Sequence, residues 1–141
     1  MYDTAIIQPY LFFDGKCEEA IEFYQRALGA KVLMLMRYKD APPEAQQNMP
    51  PGNKDKVMHA NLRIGAATVL VSDGHCKGNP KFEGFGVSLT LKTPAEVDKA
   101  FQALSEGGQA AMPVGETFFS KRFGMVTDKF GVMWMVLVQP H

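Results

Sequence analysis

The sequence predicts an α+β fold of two βαβββ modules within a single domain, 1–141, the first module over about 8–73 and the second over about 84–138. Three observations predict it. A short apolar run from Tyr10 to Phe13 leads into a helical stripe that stops at Gly29. The same order returns later as Val87 to Leu91, followed by Val97, Ala100, Phe101 and Leu104 ahead of Gly107 and Gly108. After each helix come three further runs with the character of strands.

The run Tyr10 to Phe13 is too short for anything but a strand. Ala20, Ile21, Phe23, Tyr24, Ala27 and Leu28 then share one helical face. Ala30 to Tyr38 is mostly apolar and reads as a strand buried on at least one side. Residues 39–56 carry Pro42, Pro43, Pro50, Pro51 and Gly52 among polar residues, which predicts a long mobile loop able to act as a lid. From Val57 the chain alternates, with Met58, Ala60, Leu62 and Ile64 on one face and His59, Asn61 and Arg63 on the other. Gly65 and Ala66 turn it into a hairpin with Ala67 to Ser72.

A linker over 73–83, rich in Gly, Lys and Asn, leads to the second module, whose first strand is Phe85 to Leu91. Thr93, Pro94 and Glu96 form a capping box with proline at the first helical position, predicting a helix from Pro94 to Leu104. Ala110 to Phe118 and Arg122 to Thr127 are two more strands. Asp128 to Gly131 then turn the chain into a last strand, Val132 to Val138, that bears Trp134.

Composition narrows the function. Fifteen basic and fifteen acidic residues cancel without blocks of either sign, so neither nucleic acid nor an anionic membrane is an expected partner. The 46% apolar content supports a sizeable core. No stretch approaches the roughly 20 apolar residues of a membrane span, and the first residues lack the pattern of a signal peptide, so a cytoplasmic protein is expected. Cys17 and Cys76 read as two free thiols.

The doubled βαβββ order resembles the vicinal oxygen chelate superfamily, the glyoxalase/bleomycin resistance/dihydroxybiphenyl dioxygenase fold. Pro9 to Gly15, Glu19 to Tyr24, His59 to Arg63, Val71 to Asp73 and Phe123 to Trp134 resemble segments of its PhnB-like branch. The resemblance implies curved mixed sheets around a cavity, with a helix on each convex side, and a homodimer. It also implies four metal-ligand positions, falling near Gln8, at Val69 to Val71, at Gly84 to Phe85 and at Val136. Only Gln8 can donate to a metal there, and a divalent ion needs three or more donors, so no metal and no cofactor are expected. Some members of the branch carry a demethylubiquinone methyltransferase label. The strand-helix junction Phe13 to Cys17 has one glycine and lacks the glycine-rich turn of a nucleotide-type site, so these residues do not support methyl transfer.

The expected function is binding of a small molecule in the concave cavity. Two alternatives stay open: a metal-independent isomerase or lyase, and a metalloenzyme with rearranged ligands, His59 with Gln8 and Glu116. By strand parity His59, Asn61 and Arg63 face the cavity, and Gln8 and Tyr10 are further candidate ligand contacts; the other reading of His59 is a solvated strand face or a dimer contact. On the last strand Met133, Met135 and Leu137 are expected under the helix, which gives Trp134, Val136 and Val138 to the cavity; Trp134 is either its wall or core. Phe119 and Glu116 lie at the junction 116–122, where a carboxylate beside aromatic rings is suited to acid-base work; the other reading of Glu116 is a solvated hairpin residue. The catalytic candidates are thus Glu116 and His59. Asp73 is expected to start the turn after its strand.

Overall fold

The computed structural model describes residues 1–46 and 52–139. Its contacts divide the chain into two compact units, Met1–Gln25 with Gly29–Pro80, and Arg26–Leu28 with Lys81–His141.

The first unit holds β1 (Tyr10–Phe12), α1 (Cys17–Leu28) as far as Gln25, β2 (Lys31–Arg37), a 3-10 turn (Tyr38–Asp40), α2 (Pro43–Gln46), β3 (Val57–Ile64) and β4 (Ala67–Ser72). Its sheet runs β1-β4-β3-β2, with β1 parallel to β4 and the other pairs antiparallel. Leu11, Ala60, Leu62, Val69 and Val71 fill one face and are almost fully buried. Together with Cys17, Ala20, Ile21, Phe23 and Tyr24 of α1 they make the core, each large aliphatic side chain contributing about 1.5–3 kcal/mol.

The amides of the first turn of α1 have no intrahelical acceptors, and its N-cap residue, Lys16, supplies none from its side chain. Asp73, 1% exposed, does so from beyond β4: Oδ1 accepts from the Cys17 amide at 2.7 Å and Oδ2 from the Val57 amide at 2.6 Å. Asp73 also opens the expected turn, its carbonyl accepting from the Cys76 amide at 3.2 Å. Its carboxylate complements the positive end of α1 and fixes the start of β3. Gly29, at φ 67°, closes α1 by donating its amide to the Gln25 carbonyl. Cys17 and Cys76 are both free thiols, the first buried.

The mobile loop expected over 39–56 carries more order than its composition suggested. The amides of Tyr38 and Lys39 donate to the carbonyls of Lys56 and Lys54, and Pro43 opens α2, where its missing N–H costs nothing. The rest of that expectation, 47–51, lies outside the described residues.

The second unit holds β5 (Val87–Leu91), α3 (Pro94–Ser105), β6 (Gln109–Gly115), β7 (Phe123–Thr127) and β8 (Met133–Val138), in the order β5-β8-β7-β6 with β5 parallel to β8. The capping box is present: Thr93 Oγ1 accepts from the Glu96 amide at 3.2 Å and Glu96 Oε1 from the Thr93 amide at 3.1 Å. The strand expected to reach Phe118 ends at Gly115, because Thr117 and Ser120 form a turn and buried Ser120 donates its hydroxyl to the Val138 carbonyl.

The facing of β8 is the reverse of the one expected. A Cβ on Gly124 would lie 2.8 Å from the Phe101 ring of α3, so that face of β7 lies under the helix, and Gly124 pairs with Val136. Trp134, Val136 and Val138 therefore pack beneath α3, while Met133 and Met135 lie on the opposite face, where their methyls approach Gly86. Trp134 is 2% exposed and donates its indole N–H to Asp128 Oδ2 at 2.9 Å. It is a core residue on the helix side of the sheet.

Candidate functional site

The helix-free face of the first sheet assembles a polar group on apolar ground. Register places Tyr10 beside Leu70, Leu70 beside Asn61, Asn61 beside Met34 and His59 beside Met36, so these side chains emerge on one side. Within that face the Tyr10 hydroxyl lies 2.7 Å from His59 Nδ1, and His59 Nε2 lies 2.6 Å from Asn61 Oδ1. Phe12 stacks on Tyr10 with centroids 4.7 Å apart and planes within 5°. The Tyr10 ring meets the His59 ring edge-on at 5.4 Å.

This side is open. Tyr10 is 39% exposed, Phe12 52% and Met34 40%, large apolar surface that a structural strand would ordinarily cover. Burial is the main influence on the Tyr10 phenol and holds its pKa above the ordinary tyrosine value, with the Cys17 thiol adding to it, so the group stays a neutral donor.

Three of the sequence candidates thus meet: Tyr10, His59 and Asn61. Arg63 lies two residues beyond Asn61 on the same face and is exposed, paired in register with Lys31 and Thr68. Gln8 precedes β1 and is exposed. Glu116 and Phe119 belong to the second unit: Glu116 is exposed between β6 and β7, and Phe119 sits between the rings of Phe118 and Phe123, each at 5.1 Å. Phe12, Met34 and Met36 were not singled out from the sequence. Their signal was present as the two-residue spacing from Tyr10 and within β2.

Among the described residues no three His, Cys, Asp or Glu side chains come together as a metal-binding group. The positions that the resemblance assigns at Val69, Val71 and Val136 face the core, and their neighbours on the helix-free faces, Leu70 and Met135, bring no hard donor. Both ring nitrogens of His59 are engaged by protein groups.

A separate concavity of about 280 Å³ beside the start of α1 is lined by Gly15, Glu18, Glu19, Glu22, Lys56 and Asp73. Three of its charged side chains, Glu18, Lys56 and Asp73, bond to the fold itself. Glu18 takes two hydrogen bonds from Arg37, at 3.0 and 2.6 Å, Lys56 donates to the Gly15 carbonyl, and Asp73 holds the amides of Cys17 and Val57.

Two mixed four-stranded sheets, each from a βαβββ module, with an open face in the first, define a class of protein that the comparisons identify. The sequence model of the Glyoxalase/Bleomycin resistance protein/Dioxygenase superfamily matches residues 6–136, and the chain belongs to that superfamily. It is 38% identical over 138 residues to protein YjdN of Escherichia coli K12, which covers 94% of each chain. Among solved structures it is similar to protein PA1353 of Pseudomonas aeruginosa, with 39% identity, a TM-score of 0.83 and coverage of 96% of this chain and 98% of that one. It is also similar to a PhnB protein of Bacillus cereus that carries the provisional name 3-demethylubiquinone-9 3-methyltransferase, with 29% identity, a TM-score of 0.77 and coverage of 95% and 99%.

Proposed function

We propose that the chain is a PhnB-like protein that binds a small molecule on the helix-free face of its first sheet, without a metal ion. The observation that carries the reading is the chain of two short hydrogen bonds joining Tyr10, His59 and Asn61 within exposed aromatic and methionine surface. A few converging polar groups on apolar walls are the usual composition of a ligand site. The apolar part supplies affinity and the polar group sets orientation. Arg63, exposed at one end of the row, adds a positive charge that favours a ligand carrying an anionic or strongly accepting group at that end.

Methyl transfer is not part of the reading. The junction between β1 and α1, where a nucleotide-type cofactor would approach the backbone, is taken up by the chain's own loop. Asp14 accepts from the amides of Lys77 and Asn79, and a Cβ on Gly15 would lie 3.7 Å from Cys76 Cα. The test is titration of a compound library against protein carrying labelled methionine methyls. Met34 and Met36 report the proposed face.

A further inference from the structure

We propose that Tyr10 Oη is the proton-transferring atom of this face, with His59 as the base behind it and Asn61 as the residue that positions His59. The proposal rests on reading the face as the ligand site and assigns the chemistry done there. A neutral imidazole carries one N–H and one lone pair. Asn61 Oδ1, 2.6 Å from His59 Nε2, has only lone pairs to offer, so the ring proton sits on Nε2. Nδ1 is then the acceptor, and the Tyr10 hydroxyl donates to it across 2.7 Å. His59 has no nitrogen left for a ligand. Tyr10 does have room, because it is 39% exposed and its oxygen keeps lone pairs beyond the one bond it donates.

The geometry is held from both sides. Phe12 stacks flat against the Tyr10 ring and His59 meets it edge-on, so the phenol oxygen stays aimed at Nδ1. Asn61 lies two residues along β3 from His59, on the same face, and fixes the tautomer without approaching the ligand. The arrangement is that of a hydroxyl, a base and an orienting group, the logic by which a weak nucleophile or acid is activated.

The step balances without a co-reactant. A weakly acidic C–H or O–H of the ligand gives its proton to Tyr10 Oη as the Tyr10 proton passes to His59 Nδ1. The electron pair of the broken bond remains on the ligand, and His59 becomes an imidazolium that still donates Nε2–H to Asn61. Return of the proton to a second ligand atom restores the site, so the net reaction class is an isomerisation. Because burial disfavours a free tyrosinate, the two proton movements are coupled.

The test needs no ligand. Benzenesulfonyl fluoride forms an S–O bond with a tyrosine oxygen as fluoride leaves, and here the phenolic proton goes to His59. Tyr2, 78% exposed, is the internal reference. Peptide mapping should find Tyr10 labelled at least about tenfold faster than Tyr2 in the native protein, and no faster than Tyr2 in His59→Leu. Imidazole nitrogen shifts should place the His59 proton on Nε2, and Asn61→Leu should move the ring toward a mixture of tautomers while Tyr10 labelling slows. A His59→Leu chain that fails to fold exposes itself through faster labelling of buried Tyr24, and the nitrogen shifts of the native protein then decide. Tyr10 labelled no faster than Tyr2, or a His59 proton on Nδ1 in the native protein, would overturn the relay. Since neither measurement uses a ligand, the relay and the ligand face fail or hold separately.

Discussion

Two charged side chains, Glu18 in the first turn of α1 and Arg37 at the end of β2, show how a residue's surroundings decide its role. Glu18 and Arg37 form a two-bond pair, but the Glu18 side chain is 53% exposed and the Arg37 side chain 26%. Water screens such a pair, so its contribution is about 0.5 kcal/mol. The hydrogen bonds from Arg37 hold the Glu18 carboxyl below the ordinary carboxylate range. With the folded pKa depressed, the stabilisation is complete above the unfolded pKa and is lost as pH falls through the folded one. Glu18→Gln should therefore lower stability by about 0.5 kcal/mol at neutral pH, and the difference should vanish in acid below the carboxylate range. Urea unfolding at two pH values checks it; a difference that persists in acid would mean that the loss is one of packing.

At the scale of elements, buried carboxylates tie helices, strands and turns together. Asp73 accepts from the first amide of α1 and the first of β3. In the second unit Asp128 accepts from the amides of Phe130 and Val132 and from the Trp134 indole. Hydrogen bonds to a charged acceptor are worth about 1.5–3 kcal/mol each, so Asp73→Ala should cost about 3 kcal/mol, and α1 amides near Cys17 should lose hydrogen-exchange protection ahead of the sheet. Equal loss of protection in every element would contradict that local role.

The elements also show what a sequence discloses. Thr93, Pro94 and Glu96 announce the start of α3 because capping is local chemistry, and the alternation of β3 orients His59 and Asn61 because its two faces differ in polarity. On β8 every residue from Met133 to Val138 is apolar, so alternation carries no information about facing. The decisive contacts lie on other strands and loops: Gly124, where any Cβ would strike Phe101, and Asp128, the partner of the indole. The bond between Tyr10 and His59 spans 49 residues, and only the register of β1 on β4 and β4 on β3 brings the two together.

For the whole molecule, superfamily membership and exposed Leu33, Phe85 and Met112 bear on assembly. Exposed apolar surface of this extent calls for a cover, and a symmetric pair is the commonest soluble assembly, so we propose a homodimer. Sedimentation at micromolar concentration should give twice the 15.6 kDa chain mass; a single-chain species throughout would contradict it. No helix among the described residues is long and apolar enough to cross a membrane.

The central claim is that the first sheet's open face is a ligand site organised by Tyr10, His59 and Asn61. The most direct measurement follows labelled methionine methyls while a compound library is titrated. Compounds that bind should shift the methyls of Met34 and Met36, which neighbour Asn61 and His59 in register, and should lose at least about tenfold in affinity to Tyr10→Phe, the effect of leaving a polar group of the ligand without its partner. Compounds that bind with undiminished affinity to that variant and leave both methyls unmoved would contradict the account.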